Sequence, residues 1–533
     1  MKTLHRLAKR GFVAPLQTTF PSKTAAGHAA LFTGAWGSVN GIYSNTNPRP
    51  GYALADTISG YRSESLAADP IWTTASSQGI SSVVYQATQM YPFSERSTGK
   101  AVTINGYQSW TIAPARVISA KDLKSSSEWV DGPLRFTIQR EPQGLRVGFG
   151  TQTVLVRHVP TETKGPRNRE LARHFSAPLP VEANGIRTAV YFRLFEYSPT
   201  DFLLYRTPAQ EAAAQGLTFD LATETGPFVP NSATSLYTRS AFGKLIHEGG
   251  DGTAERRYLE TFELVVRQET RQMLALNRHF NPRLFIGYYP VVDDMEHTWY
   301  GLSATGFKAI DPYRAWAFAA LDEGLAQLTA PFANRRDAIV FASDHGMSAN
   351  THEIRMPVLL KQLGFDPETV VPNATCFFLN TTRWKQGTLD PAATSTLLRS
   401  LEEKLAATGY FTRFYSAAEM SARYGHKGQA SPELCFDLKP GYYFSESARA
   451  TEAVLQYPHP RGEHGFDPLR PEMQSFVLVS GITPRKQLMA RQVDVAPTVA
   501  ELLQIAPAAT TQGVSLLHTR SATSPSPYTP PVP

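Results

Sequence analysis

The sequence predicts an α/β fold, on two observations. Helical and extended patterns alternate over the first hundred residues, with a Lys/Arg-flanked helix at the start, an Ala-rich helix in TAAGHAALFTG and a strand in ISSVVYQA. Further along, the long helical segments ERRYLETFELVVRQETRQMLALNRHF and YRAWAFAALDEGLAQLTA are each followed by a short apolar strand, LFIGYYP and AIVFASD. Helices that alternate with buried strands are typical of a mostly parallel sheet with crossover helices on its faces. We therefore expect such a sheet, flanked by helices.

The stretch from Tyr107 to Gly250 differs in character from both ends. It contains short β-rich segments such as LRFTIQ, LRVGFG, TVLVRHV and TAVYFRLFEY, separated by turn residues. We expect residues 107–250 to form an inserted β-rich module, with 1–106 and 251–520 as the two parts of one α/β core. The module either shapes substrate choice or is a decoration remote from the site. The tail, 521–533, is rich in Pro and Ser and is expected to be disordered.

Composition favours a soluble globular enzyme over a disordered protein. Of the 533 residues, 42% are hydrophobic, 18% charged and 11% aromatic, and no apolar run approaches the length that spans a membrane. The formal net charge of +6 comes from Lys and Arg scattered along the chain. Scattered charge of this sign argues weakly for anionic substrates and against a stable nucleic-acid partner. Nothing in the composition indicates an oligomeric state.

The cysteines and the N-terminus bear on redox state and location. Two cysteines, Cys376 and Cys435, cannot build a disulfide framework, and each is predicted to be a buried small hydrophobe. The start, MKTLHRLAKRGFVAPLQ, carries charge but lacks the apolar core of a signal peptide. The default expectation is therefore a cytoplasmic location, and export stays open if the true start lies upstream.

Two pairs of ligand-type residues follow predicted strands. Asp344 and His345 end the strand AIVFASD, and oxygen and nitrogen donors side by side suit zinc or a similar divalent metal. Asp293 and His297 follow LFIGYYP at a spacing of four, which puts both on one face of a helical turn. Asp294 is a rival for the ligand role, at a spacing of three. Taken singly, Asp344 and His345 are as well explained by a helix cap and a hydrogen-bonded histidine, whereas Asp293 and His297 are better explained by an acidic N-cap region with a surface histidine.

Two further residues become candidates for the site because they occur together with these two pairs. His464 lies in a Gly-flanked loop just before the apolar strand of SFVLVSG, although most single histidines are structural. Thr24 stands at the start of the small-residue helix, where free N–H groups and the helix dipole attract an anion. On local evidence alone, Thr24 is better explained as an N-cap.

Taken jointly, these segments resemble the alkaline phosphatase superfamily, in its branch with a Thr nucleophile that includes type I phosphodiesterases and nucleotide pyrophosphatases. The order and spacing match from the nucleophile through a His, a Thr-Gly pair and a Gly-Ile to an Asn. The C-terminal segment VDVAPTVAELLQI also resembles the family's Asp-x-x-Pro-Thr helix. The matching residues of the first motif are Thr24, His28, Thr33, Gly34, Gly41, Ile42 and Asn45.

The resemblance implies a role for each candidate residue. Asp293, His297 and His464 would hold one divalent ion, a zinc; Asp344, His345 and the Thr24 oxygen would hold a second. Thr24 would attack phosphorus once a metal lowers the pKa of its hydroxyl, giving a phospho-threonine intermediate. Asn45 would donate its amide N–H to a non-bridging oxygen of the substrate.

The sequence departs from the family pattern at three points. The resemblance implies a further metal-ligand Asp, in a strand-Asp-Gly motif upstream of the nucleophile, but no Asp precedes Thr24. We therefore expect the first core strand to be missing, through truncation or a misassigned start, and the chain as given to hold nearer one zinc than two. Gly27 replaces a typical Asn, and Asn40 replaces a frequent His. Neither is an expected ligand, but both argue against copying a substrate from the nucleotide pyrophosphatases.

Among the reactions of the superfamily, phosphodiester hydrolysis is favoured. Sulfatases need a Cys or Ser in a C/S-x-P-x-R motif, which is absent. Many monoesterases carry a Lys-x-Arg pair for the dianion, and this sequence has none, although cations such as Arg140 or Arg157 could substitute. The expected substrate is a small phosphate ester, with nucleotides among the candidates. The alternatives left open are a monoesterase and a catalytically impaired binding protein.

Overall fold

The computed structural model describes residues 1–125, 127–162, 174–230, 233–332, 337–449, 451–483 and 489–518. The chain divides into two compact units, each drawn from several segments of the sequence. The first unit comprises Met1–His5, Val83–Gln86 and Val102–Arg336. The second comprises Arg6–Ser82, Ala87–Ala101 and Asp337–Pro533.

The described helices follow the chain in the order α1 (Lys2–Ala8), α2 (Thr24–Thr33), α3 (Gly37–Asn40), α4 (Ile71–Ser77), α5 (Glu95–Thr98), α6 (Leu221–Thr225), α7 (Thr234–Tyr237), α8 (Thr253–Phe280), α9 (Val291–Ala304), α10 (Asp311–Thr329), α11 (Met356–Gln362), α12 (Pro391–Ala407), α13 (Ala417–Tyr424) and α14 (Val495–Leu503).

The described strands are β1 (Gly11–Gln17), β2 (Thr46–Pro48), β3 (Thr57–Ser59), β4 (Ser82–Tyr85), β5 (Val102–Ala113), β6 (Arg116–Ile118), β7 (Glu128–Asp131), β8 (Leu134–Glu141), β9 (Gly144–Phe149), β10 (Gln152–Arg157), β11 (Leu179–Ala183), β12 (Ile186–Val190), β13 (Phe192–Tyr197), β14 (Phe202–Arg206), β15 (Ala209–Gln215), β16 (Leu284–Gly287), β17 (Ile339–Ala342), β18 (Ser348–Arg355), β19 (Val370–Asn373), β20 (Cys376–Leu379), β21 (Phe411–Ser416), β22 (Leu434–Leu438), β23 (Gly441–Ser445), β24 (Val454–Glu463), β25 (Ser475–Ser480) and β26 (Ala490–Arg491).

The first unit combines small sheets with the long helices α8, α9 and α10. Its sheets have the strand orders β15-β5-β4-β16, β10-β9-β8-β7, β13-β14-β6 and β11-β12. One apolar core joins α8, α9 and α10 to aromatic residues of β13 and β14. A second fills the space between the β7–β10 sheet and its neighbours. Helix α8 buries charged residues as well: Glu260 is paired with Arg193 at 2.5 Å, and both side chains are fully buried.

The second unit contains the sheet that carries β1 and β17. Its strand order is β17-β25-β1-β26. Both β17 and β1 pair antiparallel with β25, so they run parallel to each other with β25 between them. The carboxyl ends of β1 and β17 therefore lie at the same edge of the sheet. The remaining sheets of this unit are β23-β18-β24, β19-β20-β22-β21 and β2-β3.

The α/β class is confirmed, but strand pairing is more antiparallel than the mostly parallel sheet that we expected. Parallel pairing joins β1 to β26, β4 to β5 and β18 to β23, while antiparallel pairing predominates elsewhere. The reason is that a short apolar run indicates burial and not direction. The strands β16 and β17, expected in one sheet, lie in the sheets of different units.

The prediction that Cys376 and Cys435 are separate small hydrophobes is wrong. The two cysteines form a disulfide bond, although both are buried as expected. They lie opposite each other on the antiparallel strands β20 and β22, with Cα atoms 3.9 Å apart. A separation of 59 residues in sequence gave no indication of this pairing.

The predicted domain boundaries remain predictions. Two observations concern the segments that they separate. Strands β5 to β15 occupy most of the predicted β-rich module, and they share the first unit with helices α8 to α10, which follow residue 250. The predicted disordered tail, 521–533, lies outside the described residues. Within the described ranges, no helix combines the length and apolar character needed to cross a bilayer.

Candidate active site

Thr24 is the first residue of α2, just after the segment that leaves β1. The helix is rich in alanine, the residue with the strongest helix preference, and it ends at Gly34, whose φ of 69° allows the N–H to bond to Ala30 O. The N-cap position belongs to Lys23, which has an extended backbone and makes no side-chain cap. The alternative that Thr24 serves only as an N-cap is therefore wrong.

The Thr24 hydroxyl instead faces the loop after β17. Its Oγ1 lies 3.1 Å from Nε2 of His345, and Thr24 is buried. The two residues are 321 positions apart in sequence. They meet because β1 and β17 run parallel to each other, which brings the loops after their carboxyl ends to one edge of the sheet.

Asp344 carries a mostly buried carboxylate, with 12% of the side chain exposed. Its Oδ2 lies 3.1 Å from Nε2 of His345 and 3.6 Å from Nε2 of His28. Burial alone would raise the pKa of Asp344, but the charge and hydrogen bond of His345 and the charge of His28 bring that pKa down to about 2. A bound metal cation would take the place of the histidine charge beside this carboxylate.

Helix α2 approaches Asp344 closely at Gly27. A Cβ atom at Gly27 would lie 3.0 Å from the backbone oxygen of Asp344 and 3.2 Å from its Cβ. A larger residue there would push the helix and the loop apart. The glycine that departs from the family pattern thus has a packing role in this chain.

The histidine rings have the hydrogen bonds expected of metal ligands. Nδ1 of His345 lies 3.0 Å from Gly346 O, and Nδ1 of His464 lies 2.9 Å from Ser22 O. A carbonyl oxygen can only accept, so each Nδ1 carries a proton, and a ring that also gives up a proton from Nε2 presents a lone pair there to a cation. The two rings stack, with centroids 3.6 Å apart. With the Asp344 carboxylate and the Thr24 hydroxyl, they form a donor set that suits zinc or a similar divalent ion.

Asn45 contacts the first turn of α2. Its Oδ1 accepts a hydrogen bond from Ala25 N at 3.0 Å, which leaves the Nδ2 hydrogens as the donors of this side chain. The loop around it is held by Asn47, whose Oδ1 accepts from the backbone N–H groups of Tyr43 and Ser44. Asn45 is thus fixed next to Thr24, and its Nδ2 group is the hydrogen-bond donor of this side chain.

The other two predicted ligands lie in the first unit. Asp293 and His297 are on α9, and the spacing of four brings Oδ2 of Asp293 to 3.3 Å from Nε2 of His297. Each side chain is about one-third exposed. Burial raises the pKa of the rival residue, Asp294, to about 6, with a further increase from Asp293 and an opposing effect of His297.

Five of the seven predicted residues lie in the second unit, where each contacts another of them or a residue next to one of them. They are Thr24, Asn45, Asp344, His345 and His464. Asp293 and His297 form a pair in the first unit. The convergence of the two sets in one site remains a prediction.

Sequence reasoning missed two residues that contact the Asp344 loop. Gln492 is fully buried; its Nε2 donates to Asp344 O at 2.5 Å, and its Oε1 accepts from Thr19 N at 2.8 Å. It directly precedes the VDVAPT segment, which is the one sequence signal that could have drawn attention to it. His28 was noted in the N-terminal motif but was given no role.

Comparison with known proteins gives the family. The sequence profile of the family described as type I phosphodiesterase / nucleotide pyrophosphatase matches residues 1–467. No curated protein matches the chain. Among solved structures, murine ectonucleotide pyrophosphatase/phosphodiesterase 5 is 13% identical, with a TM-score of 0.48 over 95% of this chain and 90% of that one. Phosphonoacetate hydrolase from Sinorhizobium meliloti 1021, solved in complex with phosphonoformate, is 14% identical, with a TM-score of 0.48 over 95% and 89%.

The profile match defines a phosphoric ester hydrolase of the alkaline phosphatase superfamily. Because the profile spans most of its length, the chain belongs to the type I phosphodiesterase/nucleotide pyrophosphatase family. Hydrolysis of phosphodiesters and pyrophosphates is the chemistry of this family, whose members generally use divalent metal ions.

Proposed function

We propose that this protein hydrolyses small phosphodiesters with Thr24 as the nucleophile, through a phospho-threonine intermediate. The observation that carries the proposal is the position of the Thr24 hydroxyl, at the N-terminus of α2 and 3.1 Å from Nε2 of His345. When the substrate is a diester, the intermediate keeps one of its two organic groups. A water molecule then cleaves the ester bond to Thr24 and completes hydrolysis.

The donor set supports two sites for divalent ions, which we propose are zinc, with the second ion bound more weakly in this chain because no Asp precedes Thr24. Asp293, His297 and His464 would hold one ion, and Asp344, His345 and Thr24 would hold the other. Bound ions of this kind lower the pKa of a hydroxyl and stabilise negative charge on oxygen. The position of the Asp344 carboxylate, with Oδ2 3.1 Å from Nε2 of His345, supports the proposal, because oxygen and nitrogen donors side by side suit such an ion.

The remaining groups would bind and orient the phosphoryl group. The N-terminus of α2 attracts an anion through its backbone N–H groups and dipole. The Nδ2 hydrogens of Asn45 would donate to a non-bridging oxygen as charge builds up in the transition state. Burial of Thr24 keeps most bulk water away from the attacking oxygen.

An assay panel tests the proposal. The protein is incubated with zinc and with matched aryl phosphate diesters and monoesters, and product release is followed. We expect the diester to be hydrolysed faster than the monoester. Thr24→Ala should lower kcat/KM by at least about 10³-fold, because the attacking oxygen is removed.

A second variant controls for packing. Thr24→Ser keeps the hydroxyl and should retain part of the activity that Thr24→Ala loses. Faster hydrolysis of the monoester would overturn the diester assignment. Full activity of Thr24→Ala would overturn the assignment of the nucleophile.

A further inference from the structure

A chain of polar side chains runs from Asp344 to the backbone of Ala25 and Gly60. It consists of Asp344, His28, Thr88 and Gln89, which we call the Gln89 network. His28, Thr88 and Gln89 are almost fully buried, with exposed fractions of 3%, 0% and 0%. Buried polar groups are stable only when their hydrogen bonds are made, so each bond in this chain constrains its neighbours.

The donor and acceptor of each hydrogen bond can be assigned by starting from the amide of Gln89. Nε2 of Gln89 lies 3.1 Å from Ala25 O and 2.7 Å from Gly60 O, and carbonyl oxygens can only accept. Oε1 of Gln89 is therefore the acceptor, and the Thr88 hydroxyl donates to it. Thr88 Oγ1 in turn accepts from Nδ1 of His28, at 3.1 Å. The opposite edge of the His28 ring faces Oδ2 of Asp344, at 3.6 Å.

The backbone at Gln89 supports a specific role for this side chain. Gln89 has a φ of 59°, a left-handed conformation that residues other than glycine adopt uncommonly. It is held there by a hydrogen bond from its N–H to Tyr61 O at 2.9 Å, together with the two bonds of its amide. Residues in such conformations cluster where the surrounding structure fixes them for function.

The two carbonyls bound by Gln89 both belong to residues that hold Asn45. Ala25, next to Thr24 in α2, donates its N–H to Oδ1 of Asn45. Gly60 donates its N–H to the backbone oxygen of Asn45 at 2.8 Å. One end of the network therefore fixes the first turn of α2 against the Asn45 loop, and the other end faces Asp344.

We propose that Thr88 and Gln89 are positioning residues that hold Thr24, Asn45 and the Asp344 carboxylate in register through His28. The inference deepens the proposed function and rests on it. Neither residue is placed in contact with the substrate. Their loss should lower kcat and zinc affinity and leave KM nearly unchanged, because misplaced catalytic groups affect the transition state more than initial binding.

The test compares matched threonine variants of the full chain. Thr88→Val removes the relaying hydroxyl and keeps the shape, whereas Thr88→Ser keeps the hydroxyl. Thr74→Val is the control, since Thr74 is a buried threonine of the same unit whose Oγ1 has no hydrogen-bond partner among the described residues. Each variant is measured by competitive zinc titration, by diester kinetics and by thermal unfolding.

We expect Thr88→Val to lose about 10- to 100-fold in zinc affinity and in kcat, the usual effect of removing a group that orients a metal ligand. Thr88→Ser should restore both to near the wild-type values, and Thr74→Val should match wild type in both. The inference is overturned if Thr88→Val behaves like Thr74→Val, or if Thr88→Ser is as impaired as Thr88→Val. If the wild-type protein hydrolyses no ester, the proposed function fails, and the zinc titration alone decides whether the network positions Asp344.

Discussion

Two largely buried carboxyl groups of this protein have pKa values shifted in opposite directions. Asp344 lies beside His345 and His28, and its pKa falls to about 2. Burial raises the pKa of Glu263, on α8, to about 8; a hydrogen bond from Trp316 opposes the rise, and nearby glutamates add to it. Asp344 is therefore charged at neutral pH, and Glu263 holds its proton.

The raised pKa of Glu263 predicts a pH-dependent loss of stability. Folding raises the pKa from the ordinary value of 4.5, so the stabilising contribution is complete below pH 4.5 and is lost as pH rises through about 8. The upper limit of the loss is on the order of 4 to 5 kcal/mol. Glu263→Gln keeps an acceptor for Trp316 and cannot ionise, so its stability relative to wild type should increase between pH 5 and pH 8.

Urea unfolding at the two pH values measures this difference. Glu402→Gln, on the exposed side of α12, is the control and should not alter the pH dependence. A stability difference between Glu263→Gln and wild type that is the same at both pH values would contradict the account of Glu263.

Site residues that belong to a recognisable sequence motif could be predicted from the sequence, whereas residues outside any motif could not. Thr24, Asp344 and His345 follow strands in an order typical of the family, and the structure brings them together. Gln89 is a single glutamine in a loop, and Gln492 is a single glutamine that begins a short 3-10 helix. Their importance depends on which carbonyls they meet after folding, and no local pattern carries that information.

At the scale of elements, the sequence predicts the helices well and the strand pairings poorly. The 28-residue helix α8 and the 19-residue helix α10 follow from their period and length. The direction of β25 between β1 and β17 does not follow from its apolar run. The strands β1 and β17, which precede Thr24 and Asp344, nevertheless run parallel, which is the feature of the predicted sheet that the site needs.

Because a disulfide joins β20 to β22, we expect the stability of the folded protein to depend on redox conditions. It closes a loop of 59 residues, and constraint of the unfolded chain by such a loop is worth about 4 kcal/mol in the chain-entropy model. Reduction should therefore lower the free energy of unfolding by a few kcal/mol. Denaturant unfolding with and without dithiothreitol measures the effect.

The double variant Cys376→Ala/Cys435→Ala provides the control. It should have the lower stability of the reduced protein and should not respond to dithiothreitol. Two free thiols in the native, unreduced protein would contradict the assignment of the disulfide.

At the scale of the whole molecule, the β-rich segment and the helices that follow it share a core. Arg193 of β13 neutralises the buried Glu260 of α8, so removing residues 107–250 would leave that carboxylate without its guanidinium partner. Deletion of the whole segment is therefore expected to destabilise the first unit. A role of the segment in substrate choice is better tested by substitutions at its surface.

The central claim is that one threonine, positioned by two strands with parallel orientation, attacks phosphorus. Its most direct test is rapid acid quenching of the zinc-loaded protein during turnover of an aryl diester, followed by mass spectrometry of the peptide that contains Thr24. The account predicts a phosphoryl ester on Thr24 that retains one aryl group and is absent from Thr24→Ala. Turnover with an unmodified Thr24, or with the ester on another residue, would contradict it.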